Sequence, residues 1–114
     1  MGGQLHPVTQ DFSGMATHDA IANLHLSLLF LTTMGLTERG VFCASDHEAL
    51  VKRKLVEVSE RVVLLADSTK LASSAMIRVC SLADIDCVIM DDGIGEESRK
   101  MLAGNDVELI VVTR

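Results

Sequence analysis

Apolar positions along this chain change their spacing several times, and each change marks an element. Leu50, Val51, Leu55 and Val58 recur at helical intervals. Ser45 followed three residues later by Glu48 is a capping-box pair that predicts where this helix starts. From Arg61 to Ala66 the pattern becomes a short apolar run without alternation. Such a run suits a strand covered on both faces, as in a parallel sheet with helices above and below. Asp67, Ser68, Thr69 and Lys70 fall just past its carboxyl end. In open α/β sheets that is where ligands sit.

The rest of the chain repeats this grammar more weakly. Ala16, Ala20, Ile21 and Leu24 predict a helix from about Ala16 to His25. Leu26 to Thr32 is a strand candidate leading into Thr33-Met34-Gly35, a second loop on the prospective ligand edge. Gly40 marks a turn before a short apolar segment, Val41 to Cys43, and Met76 to Cys80 could form a short strand. Asp86 to Met90 is apolar and closed by Asp91, Asp92 and Gly93. Glu96 to Ala103 reads as a helix with acids in its first turn and Gly104 as its stop; Val107 to Val112 is the final strand. Strands alternating with helices imply right-handed βαβ units. The expected architecture is therefore α/β, a three-layer fold with a mostly parallel sheet and helices on both faces.

Composition narrows this picture. A chain of 114 residues makes one small domain, and with only Phe12, Phe30 and Phe42 as aromatics its core must be aliphatic. A formal charge of −6 argues against unaided binding to nucleic acid or to an acidic membrane. The one basic cluster, Lys52-Arg53-Lys54, reads as a solvated helix face. Cys43, Cys80 and Cys87 are odd in number and lack Cys-x-x-Cys spacing, which disfavours a disulfide framework and a zinc site. His6, His18, His25 and His47 show no metal-ligand spacing, so no cofactor is expected. Without a signal-peptide pattern or an apolar run of membrane-spanning length, the expected compartment is the cytoplasm.

Two groups of residues carry candidate chemistry. Glu48 and Lys52 share a helical face with the acid on the favourable side, although capping alone would account for Glu48. Lys70, one short loop beyond a buried strand, is well placed for an anionic ligand, and Ser68 and Thr69 supply hydroxyl and amide donors. The competing reading of the same tetrapeptide is an ordinary strand exit capped by Asp67.

In this order and spacing the motifs resemble the C-terminal, effector-sensing domain of the DeoR family of bacterial transcription regulators. Gly2-Gly3 with Asp11-Phe12-Ser13-Gly14 is similar to that family's double glycine and later Phe-x-Gly. Glu48-x-x-Val51-Lys52-Arg53 and Leu65-Ala66-Asp67-Ser68-Thr69-Lys70 resemble its two most recognisable motifs. Leu82-x-x-Ile85-Asp86, Asp91-Asp92 and the terminal strand follow in order. The resemblance implies a fold like that of ribose-5-phosphate isomerase and the CoA-transferases, and a phosphorylated-sugar effector bound at the carboxyl edge. It further implies a homo-oligomer that reaches operator DNA only through an attached helix-turn-helix domain, with a repressor of a carbohydrate operon as the expected whole.

The expected effector contacts are Lys70 and Lys52 for the anion, Asp67 for sugar hydroxyls or as a loop cap, and Ser68. Glu48, Gly35 and Gly3 are expected at the border. The helix-turn-helix domain and the first part of the effector domain are absent, so the chain is expected to be a single partial domain over residues 1–114. Met34 stands where the family often has a small hydroxyl residue. In the isomerases a general-base glutamate lies eighteen residues before the motif lysine; here that position is Lys52. A protonated lysine cannot abstract that proton at neutral pH, so the expectation is binding without turnover. The alternatives are an isomerase or CoA-transferase-like enzyme, and a non-binding remnant or oligomerisation module.

Overall fold

The computed structural model describes residues 21–70, with Lys70 in its main chain only, and residues 77–113. Four strands form the larger sheet: β1 (Leu29–Thr32), β4 (Val62–Ala66), β6 (Cys87–Asp91) and β7 (Glu108–Val112). They are parallel and lie side by side in the order β1-β4-β6-β7. The chain is thus α/β with a mostly parallel sheet, as the pattern predicts.

A second, antiparallel sheet was not legible in that pattern. It consists of β2 (Gly35–Thr37), β3 (Gly40–Cys43) and β5 (Ile77–Cys80), in the order β2-β3-β5. The Thr33-Met34-Gly35 loop is therefore shorter than expected, because Gly35 already pairs with Phe42. Gly40 joins β2 to β3 with φ of 127°, and a Cβ there would overlap the carbonyl oxygen of Cys80. Glycine is required at this crossing.

Helix α1 (Asp46–Glu57) begins at Ser45, whose Oγ accepts the Glu48 N–H at 3.2 Å. It packs mainly on β5, with fewer contacts to β1 and β3. Helix α2 (Glu96–Gly104) lies against β7. Of the helix predicted over Ala16 to His25, Ile21 and Ala22 are helical and Asn23 begins the turn; residues 16–20 lie outside the described residues. Arg61 precedes β4 instead of opening it.

The strand order decides where the core lies. Each parallel strand is added on the same side of the one before, so right-handed connections all fall on one face of the sheet. The inner face carries Leu29, Leu31, Val62, Leu64, Val88 and Met90, all within one cluster with Val51 and Leu55 of α1 and Leu102 of α2. Leu36, Val41 and Val79 of the second sheet join the same cluster.

The outer face differs along its length. At its amino end Arg61 reaches Glu108 at 3.0 Å, across β6, and the residues between, Val63 and Cys87, are buried. Towards the carboxyl end the same face exposes Leu65 (38%), Ile110 (42%) and Val112 (46%), and Phe30 (56%) is exposed on β1 in register with Val63. The expectation that β4 is covered on both faces therefore holds for Val62, Val63 and Leu64 and fails at Leu65. Asp86 clasps the start of β4, accepting the Val62 N–H at 2.7 Å and donating its own amide to the Val62 carbonyl at 3.0 Å.

All three cysteines are buried and unpaired with one another, and burial raises each thiol's pKa. They behave as small apolar residues. Cys80 is pushed up to about 12, first by burial and then by the Asp84 carboxylate, with Arg78 opposing. A raised folded-state pKa confers stability that is complete below the unfolded value of 9.0 and is lost as pH climbs towards the folded one. Chemical denaturation of the wild type should therefore weaken above pH 9, and Cys80→Ala should flatten that slope by up to about 1.4 kcal/mol per pH unit. Parallel slopes for the two proteins would refute this assignment.

The two faces also predict unequal costs of truncation. Leu64→Ala, at a position with no exposure, should cost about 2–5 kcal/mol in urea denaturation. Its neighbour Leu65→Ala should cost at most about 1 kcal/mol.

Candidate functional site

The carboxyl ends of β1, β4 and β6 lie next to one another, because these strands are adjacent and parallel. After β4 ends at Ala66, Asp67 Oδ1 accepts the Thr69 N–H at 2.9 Å. This Asx turn leads into a single 3₁₀ turn, Ser68–Lys70. Ser68 is held by the end of the neighbouring strand. Its N–H donates to Asp91 Oδ1 at 2.6 Å and its Oγ to Asp91 Oδ2 at 2.7 Å. The Gly93 N–H donates to the same Oδ2 at 3.0 Å. One carboxylate thereby ties the β4 and β6 exits together through short, charge-assisted bonds.

Beside this tie is a depression of about 470 Å³, lined by Leu65, Ala66, Asp67, Ile89, Met90, Asp91 and Val112. Its walls are apolar and its polar groups, Asp67 and Asp91, sit at the strand ends. Such a mix can seat the carbon skeleton of a small polar ligand while carboxylates accept its hydroxyl protons.

Lys52 approaches the same edge from α1. Its Nζ donates to the Thr32 carbonyl at the end of β1 at 3.0 Å and lies 4.0 Å from Glu48 Oε1. The side chain is only 16% exposed, so its charge is held at the carboxyl end of β1. Glu48 combines the two roles weighed for it, since its amide is capped by Ser45 and its carboxylate faces Lys52. Gly35 is buried, and its N–H donates to Thr33 Oγ1 at 3.0 Å. The Thr33 hydroxyl contacts the carbonyls of Gly35 and Phe42 at 2.7 and 3.1 Å, which fixes the start of the second sheet. Met34 is exposed.

Of the seven expected contacts, Lys52, Asp67, Ser68 and Glu48 thus border the carboxyl edge by topology. Gly3 and the Lys70 side chain lie outside the described residues. Asp91 was missed as the partner of Ser68, and Gly93 as a second donor to its carboxylate. In sequence they only close an apolar run, and nothing local links them to a residue 23 positions earlier. Among the described residues no group of His, Cys, Asp and Glu is arranged to hold a metal ion, and no helix is long and apolar enough to cross a membrane.

Comparison with known proteins assigns the chain to a family. The sequence profile of the DeoR C terminal sensor domain matches residues 1–92. The chain belongs to this family. A protein provisionally named as the aga operon transcriptional repressor of Escherichia coli O157:H7 is 34% identical over 112 residues, 97% of this chain and 42% of that protein. The HTH-type transcriptional repressor GlcR of Bacillus subtilis is 28% identical over 111 residues, 97% of this chain and 43% of its own length. The L-fucose operon activator of Haemophilus influenzae is 24% identical over 111 residues, 96% of this chain and 45% of that protein. The chain thus spans less than half the length of each of these regulators.

The Asp91 tie generates a test. In a Gly93→Ala variant the new Cβ would overlap Ser68 Oγ and lie 2.9 Å from Asp91 Oδ2. Asp91→Ala would leave the Ser68 N–H without this carboxylate, at a cost of about 1–3 kcal/mol. Both variants should lower the melting temperature and speed hydrogen exchange at the Ser68 amide, with little change at Leu55 in α1. Unchanged exchange at Ser68 would show that the carboxylate does not hold this loop.

Proposed function

We propose that this sensor domain binds a phosphorylated sugar at the carboxyl edge of its parallel sheet and holds it without converting it. The observation that carries the reading is the placement of Lys52 at the end of β1 and of Asp67 and Ser68 just past the end of the adjacent β4, with Asp67 also lining an open depression. In this reading the phosphate meets the ammonium groups of Lys52 and Lys70. The sugar hydroxyls meet the Asp67 carboxylate. Family membership supports it, as does a relative named as an L-fucose operon activator.

Regulation then follows as a coupled equilibrium. A sugar phosphate shifts a regulator only if it binds two states unequally, with the DNA-bound and DNA-free forms as those states. Operator contact belongs to a helix-turn-helix module elsewhere in the polypeptide, since an acidic domain does not grip DNA by itself. We place the protein in the cytoplasm as a homo-oligomer and favour repression, the role named for the first two relatives. Catalysis is disfavoured because Lys52, a donor to Thr32, stands where the similar isomerases have their base.

The reading is tested by ligand-dependent melting. A cognate sugar phosphate at a hundred times its Kd should add about 2.7 kcal/mol of stability, and Lys70→Ala should abolish the shift. Equal stabilisation of both proteins across a panel of sugar phosphates would remove Lys70 from the site. Incubation with ribose 5-phosphate should yield no ketose; its appearance would make the domain an isomerase.

A further inference from the structure

We propose that copies of this chain join head to tail, with an arginine face of one copy docked on the acidic first turn of α2 in the next. Arg39 lies in the β2–β3 turn, Arg78 on β5 and Arg53 on α1, and all three are exposed. The fold gathers them. The Arg53 guanidinium donates to the Arg78 carbonyl, and Arg78 Nη1 donates to the Arg39 carbonyl at 3.4 Å. Each bond steadies a guanidinium while using only part of its five-donor fork. Among the described residues none of the three arginines forms an ion pair, not even with Glu38 beside Arg39 in the turn. Lys52, Lys54 and Arg61, by contrast, each face a carboxylate.

The complement lies on α2 and the loop before it. From Val79 to Ser98 the sequence has six acids and no Lys, Arg or His. Of these, Asp92, Glu96 and Glu97 are exposed, and among the described residues they form no ion pair. The two patches cannot neutralise each other within one copy. Helix α1 packs on the second sheet and β1, α2 packs on β7, and β1 and β7 are opposite edges of the larger sheet. Charge therefore selects a second copy as the occupant. At a formal charge of −6 two copies repel on average, whereas an arginine face meeting an acidic turn attracts and fixes their orientation. Because the two surfaces differ, the contact is heterologous. None of these six residues lines the depression at the strand exits. The inference rests on the proposed function only for the homo-oligomer, whose contact it names.

The test is sedimentation equilibrium of the 114-residue chain at about 0.02 M and about 0.5 M salt, between which the screening length shrinks several-fold. The wild type should self-associate at the lower salt, and at least about tenfold more weakly at the higher. Arg39→Glu/Arg78→Glu and Glu96→Lys/Glu97→Lys should each be monomeric, with circular dichroism matching the wild type. Should Arg78→Glu unfold the chain, Arg39→Glu alone takes its place, since the Arg39 side chain holds no other group here. An equimolar mixture of the two charge-reversed variants should associate again, because each contact in it can join opposite charges. A wild type that stays monomeric at low salt would overturn the proposal. So would association indifferent to salt or to either variant, or a mixture that stays monomeric. A sugar phosphate should stabilise Arg39→Glu as it does the wild type; failure of both to respond would sink the effector reading and leave this contact standing.

Discussion

Four parallel strands stepping in a single direction constrain everything else in this domain. With right-handed connections, that order gathers α1, α2 and the small antiparallel sheet on one face. The hydrophobic core is consequently one continuous cluster despite the presence of two sheets. It also brings the carboxyl ends of β1, β4 and β6 to one edge without further design. Residues far apart in sequence, such as Thr32 and Leu65 or Ser68 and Asp91, become neighbours as a by-product of register.

The candidate site is built from this edge by a few polar ties. Asp91 holds the β4 exit to the β6 exit, Asp67 shapes its own turn, and Lys52 is held against the end of β1. These bonds preset the loop so that less order must be gained when a ligand arrives. The apolar wall formed by Leu65, Ile89 and Val112 belongs to the outer face, while the acidic groups belong to the rim. A small ligand with both a carbon skeleton and charged or hydroxylated ends suits that division.

What could be read from the sequence depended on element length and on locality. Helix α1 was legible because Ser45 and Glu48 mark its start and its apolar positions keep period over three turns. Strand β4 was legible because five apolar residues run together, although the pattern could not reveal that Leu65 faces outward unburied. The second sheet was hidden because β2 and β3 have three and four residues, too few to establish alternation, and Gly35 resembles a loop residue. The pairing of Ser68 with Asp91 depends on which strand lies beside β4, and no local signal encodes that. The family motifs pointed to the carboxyl edge before any of these contacts could be seen.

Helix α1 is fastened at neighbouring residues to different sheets. Lys52 donates to the Thr32 carbonyl of β1, whereas the Arg53 guanidinium donates to the Arg78 carbonyl of β5. An anion that drew the Lys52 ammonium towards itself would weaken the first fastening and leave the second intact. The helix would then have a pivot on one side and slack on the other, so occupancy at the rim would emerge as a tilt between the two sheets.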